Sequence, residues 1–167
     1  MTPDWSAALL HLKLLVLLAV ANGAPLLGHT ALRHRWNAPL DGGLKLRDGR
    51  PLFGPSKTAR GIALALVATP LASLALGVGL RSGLLIGAFA MLGDLSSSFI
   101  KRRLGLPPSS QALVVDQVPE SLFPLLAVRA RFGLTGLEIT WLVLAFVVLE
   151  LLLSRVLYKL RLRDQPY

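Results

Sequence analysis

Acidic, hydroxyl and cationic side chains crowd together in Gly93-Asp94-Leu95-Ser96-Ser97-Ser98-Phe99-Ile100-Lys101-Arg102-Arg103. On a helix, Asp94, Ser97, Ser98 and Lys101 share one face, being three, four and seven positions apart. That column offers a hard oxygen ligand, two hydroxyls and a cation, a donor set suited to Mg²⁺ carrying a phosphate. The other reading is structural: Asp94 pairs with Lys101 or an arginine and joins helices, while the basic triplet anchors the helix end. A second acid stands in Asp116-Gln117-Val118-Pro119-Glu120. Pro119 suits a first helical turn, so Asp116 either caps that helix or supplies a second carboxylate opposite Asp94. Glu120, one turn deeper, is the alternative ligand.

A third cluster, Asp48-Gly49-Arg50-Pro51-Leu52-Phe53-Gly54-Pro55-Ser56-Lys57-Thr58-Ala59-Arg60-Gly61, leads into an apolar run. Helix-start N–H groups with Ser56, Lys57, Thr58 and Arg60 would cradle a triphosphate, although the Gly-x-x-x-x-Gly-Lys-Ser/Thr pattern of a P-loop is absent. A positively charged flank with a turn is the competing account. Asn22, Gly23 and Pro25 break the first apolar run, either to line the same polar cavity or to kink a packed helix.

The elements that must position these residues follow from composition. The chain has 167 residues, 53% hydrophobic and 16% charged, with a mean hydropathy of +0.60, so the bilayer is its expected solvent. A hydrocarbon core needs about 20 apolar helical residues. Spans are expected near 7–27, 61–80, 82–100, 118–132 and 137–157. The first reads as retained rather than as a cleaved signal segment. The formal net charge is +9. Five spans put Arg33, Arg35, Lys45, Arg47, Arg50, Lys57 and Arg60, then Lys101 to Arg103, then Arg155, Lys159, Arg161 and Arg163 on one side. By the positive-inside rule that side is the cytoplasm, and Arg81, Arg129 and Arg131 lie outside.

The expected fold is therefore an all-α polytopic membrane bundle of about five transmembrane helices. It forms a single integral domain over residues 1–167, with cytoplasmic loops at 28–60 and 101–117. All the chemical clusters meet at its cytoplasmic mouth, in the cell membrane. The basic residues are divided among loops, so no nucleic-acid partner is expected. There is no cysteine, and His11, His29 and His34 lack the paired spacing of a zinc helix.

In their order and spacing, Asn22-x-x-Pro25, Pro39-x-Asp41-x-Gly43, Asp48-Gly49-Arg50-x-x-Phe53-Gly54-x-Ser56-Lys57-Thr58-x-x-Gly61, Gly93-Asp94-x-x-x-Ser98-Phe99-x-Lys101-Arg102-Arg103 and Asp116-Gln117 resemble CDP-archaeol synthase, a relative of CDP-diacylglycerol synthase. The likeness runs from about Asn22 to Glu120, with Pro55 where an acid is expected and Ala59 where an aromatic is common. The resemblance implies a CTP-dependent cytidylyltransferase that uses Mg²⁺ to make a CDP-activated lipid and pyrophosphate from a membrane lipid phosphate. It implies Asp94 and Asp116 as metal ligands and Asp94, Lys101 and Arg102 as catalytic groups. Asn22, Ser56, Lys57, Thr58, Arg60, Ser98 and Arg103 are the expected substrate contacts. Ether-isoprenoid and ester-acyl tails both fit, and a homodimer is compatible with the sequence. The alternative from another class is a non-enzymatic membrane interaction protein or small transporter with helix-pairing acids.

Overall fold

The computed structural model describes residues 5–32, 37–107 and 115–159. Arg33, His34, Arg35, Trp36, Arg161 and Arg163 lie outside these residues. Within them the chain forms five helices, α1 (Trp5–Leu32), α2 (Ala59–Ala75), α3 (Leu80–Arg103), α4 (Gln117–Phe132) and α5 (Gly136–Lys159). The described residues hold no sheet, only isolated antiparallel bridges Pro39↔Thr58 and Lys45↔Pro51.

Local chemistry sets the helix ends. Thr58 lies extended before α2, and its Oγ1 accepts the Gly61 N–H at 3.2 Å, a side-chain N-cap. Gly133, left-handed at φ 65°, closes α4, as a C-terminal glycine does without steric cost. Two residues on, Thr135 and Glu138 form a reciprocal capping box. The Glu138 N–H donates to Thr135 Oγ1 at 3.2 Å, and the Thr135 N–H donates to Glu138 Oε2 at 2.8 Å. The turn from α4 to α5 is thus written in the local sequence, and the two helices pack side by side.

Helix α1 runs through Pro25 to Leu32, farther than the apolar run 7–27 suggests. Asn22 remains inside it, donating Nδ2–H to the Leu18 carbonyl at 3.0 Å. A polar side chain that bonds its own helix needs no helix break.

Helix α3 packs against α1, α2 and α4, while α5 lies on α4 and α1. Small residues permit this. A Cβ at Gly83 would fall 2.6 Å from Pro70 Cα, and one at Gly93 would fall 2.3 Å from the Pro119 carbonyl oxygen. Leu14, Leu17, Leu18, Ile86, Leu125 and Phe146 fill the interior. Ser73, Ser82, Ser97, Ser121 and Thr69 are also buried, whereas Leu12, Val67, Leu71, Leu84, Trp141 and Val148 are exposed. Apolar outside and small or hydroxylated between helices is the arrangement of a bundle solvated by lipid.

Among the described residues, Ser6–Thr30, Leu80–Arg103 and Gly136–Val156 are long and apolar enough to cross a membrane. Helices α2 and α4 have 17 and 16 residues, or about 25 Å at the α-helical rise. The architecture is an all-α membrane bundle with three such helices.

Candidate active site

Packing brings the polar clusters to one end of the bundle. Pro25 of α1 meets Gly61 at the start of α2, and Ala21 packs with Ala65, Ala90 and Met91. The chain between α1 and α2 returns to that end as a compact loop. Leu40 N–H donates to the Lys57 carbonyl at 2.7 Å, and Lys57 N–H to the Gly54 carbonyl at 3.2 Å. Asp41 organises this loop from within. Its Oδ1 accepts from Gly43 N at 3.0 Å and its Oδ2 from Phe53 N and Gly54 N at 2.9 Å each. Burial disfavours the Asp41 carboxylate, yet the N–H groups of Gly54, Phe53 and Gly43 outweigh it and hold the carboxyl below its ordinary range.

The loop delivers Lys57 to α3, where its ammonium pairs with Asp94 Oδ1. From α4, buried Glu120 shares a side-chain hydrogen bond with Asp94, and Glu150 of α5 is near enough to act on Glu120. Two turns along α3, Lys101 Nζ lies 2.6 Å from Asp116 Oδ1. Asp116 occupies the N-cap position of α4 but makes no side-chain cap bond; its carboxylate turns to Lys101 instead. The cap expected of Asp116 is not made, and an ion pair with Lys101, expected instead for Asp94, takes its place.

Lys101 and Arg102 are 7% and 4% exposed, so two cations are carried into the interior beside acids. Arg102 Nη2 donates to the Pro107 carbonyl at 2.9 Å. Among the described residues its Nε and Nη1 are buried without a hydrogen-bond partner. Buried donors of a guanidinium that lack acceptors are costly, and an oxyanion would satisfy them.

The remaining expected residues have definite places. Ser97 donates to the Asp94 carbonyl at 2.9 Å, and Ser98 is buried beside it on α3. Ser56 lies in the turn before Lys57, and Thr58 caps α2. Arg60 Nη2 donates to Asn37 Oδ1 at 3.1 Å. Arg103 turns to the loop, with Nη1 2.5 Å from Asp48 Oδ2 and Nη2 2.5 Å from the Pro51 carbonyl. The backbone N–H of Arg50, and beyond it the Arg103 guanidinium, hold the Asp48 carboxyl below its usual range.

The structure thus joins Lys57, Asp94 and Glu120 in one group and Lys101 and Asp116 in another, linked along α3. Among the described residues, no three His, Asp or Glu side chains group closely enough to hold a metal ion by themselves. Sequence reading missed Glu150 and the organising role of Asp41. Both had signals: a carboxylate inside an apolar run, and Asp-Gly-Gly as an Asx-turn signature.

Along the bundle, α1 and α5 part around an apolar cavity of about 980 Å³, lined from Leu12 and Trp141 through Val16, Val20, Gly23, Ala145 and Val148 to Leu27 and Leu152. Leu149 of its wall directly precedes Glu150. The recess thus reaches the turn of α5 that carries Glu150.

These features define an integral membrane protein of the helical-bundle class with an ion-paired polar site at one end. A family model described as CarS-like, CDP-archaeol synthase, matches residues 71–167. The chain belongs to the CDP-archaeol synthase family. It is 33% identical over 156 residues to the CDP-archaeol synthase of Pyrobaculum arsenaticum, covering 89% of this chain and 92% of that protein. With the Pyrobaculum calidifontis CDP-archaeol synthase it shares 37% identity over 157 residues, 89% of this chain and 91% of the relative. A solved structure described as an intramembrane enzyme for archaeal membrane lipids biosynthesis aligns with a TM-score of 0.68 and 31% identity, over 85% of this chain and 90% of that one.

Proposed function

We propose that this chain is a CTP:lipid-phosphate cytidylyltransferase, acting on an archaeol-type phosphate or a related lipid phosphate. The observation that carries the reading is the cationic site formed by half-buried Lys57 and buried Lys101 and Arg102, interleaved with Asp94 and Asp116, in a bundle that also holds an apolar recess between α1 and α5. Family membership supports the same reaction.

The nucleophile is a phosphate oxygen of the lipid. A phosphate monoester is largely dianionic at neutral pH, so no protein base is required. The oxygen attacks the α-phosphorus of CTP and a new P–O bond forms. The bond from the α-phosphorus to the bridging oxygen breaks, and pyrophosphate leaves with that electron pair. The barrier is mainly electrostatic, because two anions must meet in a partly dehydrated place. Lys57, Lys101 and Arg102 bind and orient phosphate oxygens. Ser56, Thr58, Arg60 and Ser98 would line the nucleotide side, with Asn22 of α1 as a further substrate contact. The lipid tails lie in the α1/α5 recess.

The donor set fits Mg²⁺. Asp94 and Asp116 present hard oxygens, and Mg²⁺ is usually held by one or two carboxylates together with substrate phosphates rather than by an all-protein cage. Asp94 and Asp116 would hold it, with Glu120 orienting Asp94. When bound, the ion supplies charge neutralisation between the triphosphate and these acids.

In the membrane, all five helices of one integral domain span, with the N-terminus outside and the site facing the cytoplasm. The support is Arg47, Arg50, Lys57, Arg60, Lys101, Arg102, Arg103, Arg155 and Lys159 falling at one end, against Arg81, Arg129 and Arg131 at the other.

Incubating the purified chain with labelled CTP, Mg²⁺ and a panel of lipid phosphates tests the function. Mass spectrometry should find a CDP-lipid and an equivalent of pyrophosphate. No nucleotide-dependent product from any lipid phosphate, together with no metal-dependent CTP binding, would leave only a non-enzymatic role.

A further inference from the structure

The neighbouring arginines Arg102 and Arg103 meet very different surroundings. Among the described residues Arg102 keeps two buried donors without partners, Nε and Nη1, and Arg103 one, its Nε. Arg103, one position further and therefore about 100° around the helix, directs Nη1 to Asp48 Oδ2 at 2.5 Å. Its Nη2 reaches the carbonyls of Pro51 at 2.5 Å and Arg50 at 3.3 Å. The reverse contact also exists, since Arg50 Nη1 donates to the Arg103 carbonyl. That carbonyl belongs to the last turn of α3, where no helical N–H follows to take it. The Arg103 guanidinium also lies over the Phe99 ring, 5.4 Å from its centroid.

These contacts join the loop tip at residues 48–51 to the end of α3, across about 53 residues of sequence. The same loop carries Lys57 to Asp94, with Ser56 one position before it. It has no strand ladder; isolated bridges, the Asp41 bonds and single backbone hydrogen bonds such as Leu46 N–H to the Arg50 carbonyl and Leu52 N–H to the Leu44 carbonyl give it its shape. A hinge at its tip would therefore move the nucleotide side of the site relative to α3.

We propose that Arg103 is a positioning residue rather than a substrate contact, and that with Asp48 and Arg50 it fastens the 37–58 loop to the end of α3, setting the approach of Ser56 and Lys57 to bound CTP. This rests on the cytidylyltransferase reading for its kinetic consequence, although the fastening itself is a structural property. An exposed ion pair alone contributes little to stability, so the effect falls on loop position and thus on CTP affinity.

The test is a charge exchange between Asp48 and Arg103, comparing D48R, R103D and D48R/R103D with the wild type. Each single variant should raise KM for CTP about tenfold while kcat at saturating CTP stays within about threefold. Each should also speed proteolytic cleavage between residues 40 and 55 in detergent-solubilised protein. The double variant should recover both properties to within about threefold of the wild type. A D48R enzyme with unchanged KM, or a double variant as impaired as R103D, would overturn the proposal and return Arg103 to the substrate. Wild-type protein without CTP-dependent activity would instead sink the enzymatic reading. Protection from protease by the exchanged pair would then still decide the fastening. Should R103D not survive extraction, R103K serves: it keeps the pairing charge for Asp48 but lacks the fork that reaches Pro51, and intermediate protection is expected.

Discussion

Asp94 sits between a lysine from the loop and a glutamic acid from α4, so its carboxylate is oriented before any ligand arrives. Replacing it with asparagine keeps the shape and removes the charge. Asp94→Asn should insert and purify normally yet lose CDP-lipid formation by at least about 100-fold; near-normal turnover of the purified variant would remove Asp94 from the mechanism. Lys57→Ala should weaken CTP use, raising its KM about tenfold with folding intact, and an unchanged KM and kcat would end the phosphate-cradle role of the loop. Asp41 belongs to the same scale. Its carboxyl is held below the usual range by backbone N–H groups, so its contribution to loop order is present above the ordinary carboxylate value and lost as pH falls through the lowered one. Limited proteolysis of the 39–58 loop should stay slow on acidification to about pH 4 and accelerate below it. Asp41→Asn should cleave fast even at neutral pH, because one amide oxygen cannot replace two carboxylate oxygens.

Among the elements, the approach of α3 to α4 decides whether acids from two helices can meet. Gly93 precedes Asp94, and a methyl group there would overlap the Pro119 carbonyl. Backbone cannot yield as a flexible side-chain end does, so Gly93→Ala should cost about 1–3 kcal/mol and separate Asp94 from Glu120. Thermal unfolding in detergent with CTP turnover would measure both, and a variant as stable and active as the wild type would show that the helices have slack. The capping box of Thr135 and Glu138 and the Thr58 cap were legible as local patterns. The partner of Asp116 was not, since an acid before a proline-bearing first turn reads as a cap until Lys101 is seen 2.6 Å away.

For the whole molecule, the proposed function assigns the polar end to a charged nucleotide and the apolar recess between α1 and α5 to a lipid. Gly23 opens toward the recess, with nothing within 4 Å of a Cβ placed there. Gly23→Leu should fill the recess. It should raise KM for the lipid phosphate several-fold while leaving metal-dependent CTP binding as it was, measured by calorimetry. Equal use of the lipid by this variant would move the tails elsewhere.

The amino-acid pattern alone determined a lipid-solvated all-α chain, since apolar runs of membrane length and cations confined between them leave few other solvents for the side chains. It also determined which short segments hold acids, hydroxyls and cations in fixed order, because helical periodicity sets the neighbours of Asp94 along α3. Only the tertiary structure decided which charge meets which. Lys57 goes to Asp94, Lys101 to Asp116 and Arg103 to Asp48, although any of these cations could pair with any acid by type. Those choices depend on how closely glycines let helices approach and on where Asp41 turns a loop, quantities of distance and direction that residue order does not contain.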